Sequence, residues 1–118
     1  MRRDMDLLRE ILLDLEKKDH SQWVTFHHEN YTDEEVNYHV KLAYQAGLIE
    51  AKDISTFDGT KWMARDLTWQ GHEFLDAAKN DKVWNKVKKK VAEQGGNIPF
   101  DVLKELLKQA AKTYFMGQ

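Results

Sequence analysis

The stretch from Thr32 to Leu75 constrains this chain more than any other. It reads as helix, stop, strand, turn, strand, helix. Thr32 or Asp33 is placed to cap the first of these helices, because a side-chain oxygen there accepts from the free amides of the first turn. Glu35 follows Thr32 at the spacing of a capping box. Val36, Val40 and Ala43 share one helical face, which Tyr38 and Leu42 widen. Gly47 has the freedom for the left-handed backbone that closes a helix. A strand then starts at Leu48-Ile49. Phe57-Asp58-Gly59-Thr60 offers an Asp-Gly turn into a second strand. Thr68 is placed to cap the next helix, with Gly71 tolerated near its start and Phe74, Leu75 and Ala78 facing inward. This order is the central layout of a winged helix, an α+β and mostly helical fold with a small antiparallel wing.

The flanks fit that centre. Residues 4 to 18 predict a first helix, since Met5, Leu8, Ile11, Leu12 and Leu15 recur at steps of three and four, with Leu7 and Leu13 broadening the stripe. Gln22-Trp23-Val24-Thr25-Phe26 is β-branched and aromatic, which predicts a strand beside the wing. So few residues separate it from Thr32 that the second helix of a helix-turn-helix is short, or replaced by the loop from His27 to Tyr31. Beyond Ala78, Asn80-Asp81 breaks the chain. Val83, Trp84, Val87 and Val91 mark one further helix, which Gly95-Gly96-Asn97 ends. Pro99 suits a first helical turn. Val102, Leu103, Leu106, Leu107, Ala110, Tyr114 and Phe115 give the last helix an apolar face too wide to leave in water. The expectation is a single domain over 1–118, with a winged-helix core at 1–78 and a two-helix C-terminal extension at 79–118.

Composition sets outer limits. At 118 residues with 42% hydrophobic side chains, the chain is long enough and apolar enough for one folded core. It has 0 cysteines, so disulfides and thiolate metal sites are excluded, and a reducing compartment fits. No apolar run approaches a membrane span, and Arg2 and Arg3 lead into an amphipathic helix rather than a signal peptide. A cytoplasmic protein is expected. The net charge of −2 hides an asymmetry. Residues 1–78 hold 9 Lys and Arg against 16 Asp and Glu, a net of −7. Residues 79–118 hold 9 Lys against 4 Asp and Glu, a net of +5. An acidic body with a basic tail bears directly on partner choice.

Three ordered blocks carry a resemblance. They are Arg3-Asp4-Met5-Asp6-Leu7-Leu8-Arg9-Glu10-Ile11-Leu12, then Leu67 to Ala77 with Val83-Trp84-Asn85-Lys86-Val87, then Gly95-Gly96 with Pro99-Phe100-Asp101-Val102-Leu103-Lys104-Glu105-Leu106. Together they resemble a family of short bacterial and phage-associated proteins known as a domain of unknown function, number 2513. The resemblance spans nearly the whole chain and implies a phage or prophage setting. It brings no catalytic or binding residues with it.

Chemistry must therefore be sought in the residues. His27-His28-Glu29 is the densest histidine cluster, but adjacent strand residues point to opposite faces, so the two rings rarely meet one metal. His39 and His72 lie among apolar helix positions and are expected to be packed or hydrogen-bonded. Ser21 and Ser55 lack a nucleophile-elbow context, and no glycine-rich loop precedes a helix as a phosphate cradle. No catalytic, cofactor or metal residue is assigned, and a non-enzymatic protein is expected.

Nucleic acid is the first partner considered. Glu34, Asn37, Lys41, Tyr44 and Gln45 are expected to face outward from the central helix, with Asn37, Lys41 and Gln45 suited to base edges or phosphates. Asp33, Glu34 and Glu35 would repel phosphates at the same end. Lys61 and Arg65, with Lys52, offer the wing some phosphate contact. Lys82, Lys86, Lys88, Lys89 and Lys90 form the one basic patch, although a lysine run on a helix is by default a solvated face. The expectation is a small regulatory or adaptor protein with weak, salt-sensitive DNA contact through Lys82, Lys86, Lys89 and Lys90, aided by Lys61 and Arg65. The competing expectation is a protein-interaction module that binds or inhibits a host or phage protein, as monomer or as homodimer through the last helix.

Overall fold

The computed structural model describes residues 1–117. Among them the chain forms five helices and one two-stranded antiparallel sheet, an α+β and mostly helical fold. The order is α1 (Met5–Lys17), α2 (Asp33–Gln45), β1 (Ile49–Asp53), β2 (Trp62–Leu67), α3 (Trp69–Ala78), α4 (Asp81–Glu93) and α5 (Phe100–Met116). It divides into two compact units, Met1–His72 and the remainder from Glu73, so the division falls inside α3 rather than after it.

The first unit is built on α1, α2 and the hairpin. Asp4 caps α1, its carboxylate accepting from the amides of Asp6 and Leu7. The stripe read from the sequence is buried: Leu7, Ile11 and Leu12 are fully enclosed, each stabilising the fold by roughly 1.5–3 kcal/mol. The Thr32–Glu35 capping box is present in both directions and starts α2. Val36, Val40 and Ala43 are fully buried. Gly47, at φ 76°, ends the helix, and the Leu48 amide reaches back to the Ala43 carbonyl.

Three local expectations need correction. The strand predicted at 22–26 is a single bridge: Val24 exchanges both backbone hydrogen bonds with Ala64, at 2.8 and 2.9 Å. The residue before it is held by side chains instead, with Trp23 lying under the Lys52 ammonium and the Arg65 guanidinium. The hairpin turn is centred on Phe57-Asp58, one residue earlier than Asp58-Gly59, because Thr56 and Gly59 exchange backbone bonds and the Thr56 hydroxyl accepts from the Asp58 amide. Gly59 follows the turn at φ 143°. Gly71 is more than tolerated. A Cβ there would lie 2.0 Å from the Leu48 carbonyl oxygen, so only glycine lets the start of α3 come this close to the chain entering β1. Thr68 fixes the same junction: its hydroxyl donates to Gly47 O and accepts from the Gly71 amide, while its own amide reaches Leu48 O.

Polar side chains then tie distant segments together. His39 is buried between α1 and α2. Its Nε2 accepts from the Asp4 amide at 2.7 Å, and its Nδ1 lies 2.8 Å from the Glu35 carbonyl, which assigns the ring proton to Nδ1. Tyr31 donates to the free oxygen of Asp4 at 2.9 Å. Burial, and then that hydrogen bond to the carboxylate, push the Tyr31 phenol up to about 12.

In the second unit, α4 and α5 form a helical hairpin. Asn80 caps α4 through the amides of Lys82 and Val83. Gly95 and Gly96, at φ 98° and 87°, turn the chain back. Pro99 stands at the cap of α5 rather than inside its first turn. Val83, Trp84 and Val87 of α4 and Leu103 and Leu107 of α5 are buried, and the Phe100 ring stacks at 5.3 Å on Phe74. The wide apolar face of α5 is thus only partly covered: Val102, Phe115 and Met116 stay exposed.

Candidate nucleic-acid interface

The second unit holds the basic surface. With Val83, Trp84 and Val87 turned to the hairpin interior, helical spacing sends Lys82, Lys86, Lys89 and Lys90 outward, and all four are exposed. They extend along roughly 12 Å of helix axis at 1.5 Å per residue, three to four base-pair rises of duplex DNA. Among the described residues, no ion pair takes up any of these four ammonium groups. Lys88 is exposed too, but has a partner.

Between α4 and α5 runs an open groove of about 150 Å³. Its floor is Val87, Leu106 and Ala110. Lys86 and Lys90 stand on its α4 side, with Gln109 and Thr113 on α5. Two of the four lysines therefore border a groove of mixed polar and apolar lining.

The first unit distributes the remaining candidates unevenly. Asn37 does not face outward. It is 4% exposed, its side-chain amide donates to the Asp33 carbonyl, and its carbonyl accepts from the Trp62 amide at 2.8 Å. The opening of β2 needs an acceptor for that amide, and Asn37 supplies it. Lys41 is half-buried, with its charge felt by Asp53. Gln45 is exposed at the end of α2, beside Tyr44, whose ring packs on Trp62 at 5.7 Å. Lys61 is exposed, and its backbone is pinned by the Ser55 hydroxyl.

Arg65 is occupied. Glu50 on β1 accepts from it at 3.3 Å, Asp66 lies 3.9 Å away, and Trp23 packs on its guanidinium. The register explains this: the ladder shifts between Ile49 and Ala51, so Glu50 faces both Arg65 and Asp66 across a β-bulge. The hydrogen bond it donates to Glu50 raises the Arg65 pKa further. The acidic start of α2 is partly spent on structure. Glu35 closes the capping box and Asp33 lies 3.1 Å from His27, leaving Glu34 exposed.

The sequence reading gave Phe57 no role beyond the turn. The structure places it at the tip of the β1–β2 hairpin with its side chain wholly in solvent. Its neighbours in the tight turn were the available signal. His27, His28 and His39 each lie beside a different carboxylate or backbone group. His28 lies 3.2 Å from Asp14, outside hydrogen-bond alignment. Among the described residues, no group of three or more His, Cys, Asp or Glu is placed to hold a metal, and no helix is long and apolar enough to cross a membrane.

A family model described as "Hypothetical protein (DUF2513)" matches residues 2–97, ending before α5. An "Uncharacterized protein" of Haemophilus influenzae (strain ATCC 51907 / DSM 11121 / KW20 / Rd) is 40% identical over 108 residues, which is 90% of this chain and 92% of the relative. No solved structure matches.

Proposed function

The chain belongs to the DUF2513 family, and from that premise we propose a non-enzymatic regulatory or adaptor protein that associates with DNA through the lysine face of α4. In this reading the first unit is a winged helix, with α2 as its central helix and the β1–β2 hairpin as its wing. The observation that carries the proposal is the set of four exposed lysines on α4 with no carboxylate partner among the described residues. A free ammonium on a rigid helix exchanges its counterions for phosphates without first breaking an ion pair, and counterion release supplies most sequence-independent affinity. The α2 face contributes less. Asn37 is committed to Trp62, and Glu34 stands where a phosphate would approach. Arg65 would have to leave Glu50 to serve as a wing contact.

The test is a titration of mixed-sequence duplex at several salt concentrations, with wild type and the variant Lys82→Ala/Lys86→Ala/Lys89→Ala/Lys90→Ala. The expected result is weak binding whose salt slope falls by roughly one unit for each phosphate contact removed. Absence of binding at low salt sinks the proposal. Binding that ignores these lysines but needs Lys41 and Gln45 transfers the interface to α2.

A second reading, a protein-interaction module, is favoured by a different observation. Phe57 on the wing, and Val102, Phe115 and Met116 on α5, leave large apolar side chains in water.

A further inference from the structure

We propose that the wing tip of one copy of this chain docks in the α4–α5 groove of a second copy, with Phe57 packing on Val87, Leu106 and Ala110 and Asp58 meeting Lys86 and Lys90.

Both halves of the contact are on the molecule. The tip is a rigid knob. Thr56 and Gly59 close the turn with two backbone hydrogen bonds, each 3.1 Å, and the Thr56 hydroxyl braces the Asp58 amide. The ring of Phe57 makes no use of this chain's own core. A turn held this firmly presents its side chain with little ordering left to lose on binding. The groove is the matching socket. Its volume of about 150 Å³ has room for a phenylalanine ring, with Lys86, Lys90, Gln109 and Thr113 at its polar edges. Val87, Leu106 and Ala110 give it an apolar floor.

Charge selects the occupant. Lys86 and Lys90 border the groove without carboxylate partners among the described residues. The wing carries Asp58 immediately after Phe57, and Asp53 at the end of β1. Hydrogen bonds from the Ser55 side chain and amide hold the Asp53 pKa below the usual carboxylate range, so this second carboxylate stays ionised. An aromatic anchor with an adjacent charge, entering a slot of opposite charge, is the usual composition of a binding hot spot. The acidic body and basic tail favour the same pairing over long range. A knob on one surface and a socket on another make a heterologous contact, which builds closed rings or open chains of copies.

The contact is independent of DNA binding but shares two lysines with it, so duplex and self-association compete. Sedimentation velocity over a concentration series reads the association directly. Wild type is expected to self-associate, and Phe57→Ser or Lys86→Glu/Lys90→Glu to weaken association by about tenfold or more. Asp58→Lys is expected to do the same. Mixing Asp58→Lys with Lys86→Glu/Lys90→Glu restores association, because the new lysine finds the new carboxylates. A folding fault in either variant would not be repaired by mixing. A wild type that stays monomeric at its highest soluble concentration overturns the inference. So does association that survives both the Phe57 and the lysine changes, or a mixture that fails to associate. DNA titrations on the same samples separate the two proposals. Association without DNA binding sinks only the DNA reading, and DNA binding by a strict monomer sinks only this one.

Discussion

α2 and α4 are both helices of 13 residues, each started by a side-chain cap on an ordinary helical signal. Their polar residues do opposite work. On α2, Asn37 and His39 turn inward and close backbone hydrogen bonds that belong to other segments: the first amide of β2 and the cap residue of α1. Glu35 is used by the helix itself. On α4, Lys82, Lys86, Lys89 and Lys90 turn outward and hold nothing in place among the described residues. Polarity alone therefore does not mark a binding surface. A polar side chain is available to a partner only when the backbone has no claim on it, and in α2 the backbone has the first claim.

The largest break comes from the junction behind α2. Gly71→Ala drives a Cβ into the Leu48 carbonyl, and the expected loss is about 3 kcal/mol or more, read by chemical denaturation. A loss below about 0.5 kcal/mol would mean that the backbone relaxes freely there. Next is Asn37→Ala. It strands the buried Trp62 amide, at an expected cost of about 1–3 kcal/mol by the same measurement. Duplex affinity retained in a folded Asn37→Ala protein would agree with a structural role, while selective loss of binding would contradict the contrast drawn with α4.

Tyr31 gives a smaller, pH-dependent effect. Because its phenol is pushed up to about 12, the neutral form is favoured in the fold. The stabilisation is complete below the ordinary tyrosine pKa of about 10 and is lost as pH rises toward 12. Tyr31→Phe removes this alkaline dependence and costs about 1 kcal/mol at neutral pH, which denaturation at a series of pH values would register. The smallest effect belongs to α4. Lys82→Ala/Lys86→Ala/Lys89→Ala/Lys90→Ala is expected to shift stability by no more than about 0.5 kcal/mol per site, since alanine is the better helix former and no ion pair among the described residues is lost. A large loss in that variant would show that the lysines are structural after all.

What could be read from the sequence follows the range of the interactions. Thr32 with Glu35, Asn80 before α4, Gly47 and the Gly95-Gly96 stop are local devices, completed within a few residues, and each was legible. The buried stripe of α1 was legible for the same reason. Asn37 was misread because its partner lies 25 residues away, and a helical wheel places it at the edge of the apolar face without showing the Trp62 amide. Gly71 was undervalued because the constraint comes from the Leu48 carbonyl, not from its own helix. The strand at 22–26 shrank to one bridge for a comparable reason: residue preference favours a strand, but the partner β2 supplies only Ala64. The four lysines of α4 were read correctly as exposed. Arg65 is paired because the register sets Glu50 opposite it, a long-range pairing that its own neighbours in sequence do not show.

The bond between His39 and the Asp4 amide also has a bearing on how this protein opens and closes. Amides at the start of a helix ordinarily exchange with solvent almost freely, because nothing within the helix accepts from them. Here that amide is covered by a side chain from another helix, so its deuterium uptake is governed by separation of α1 from α2 rather than by fraying. It is a built-in reporter of the moment the first unit comes apart.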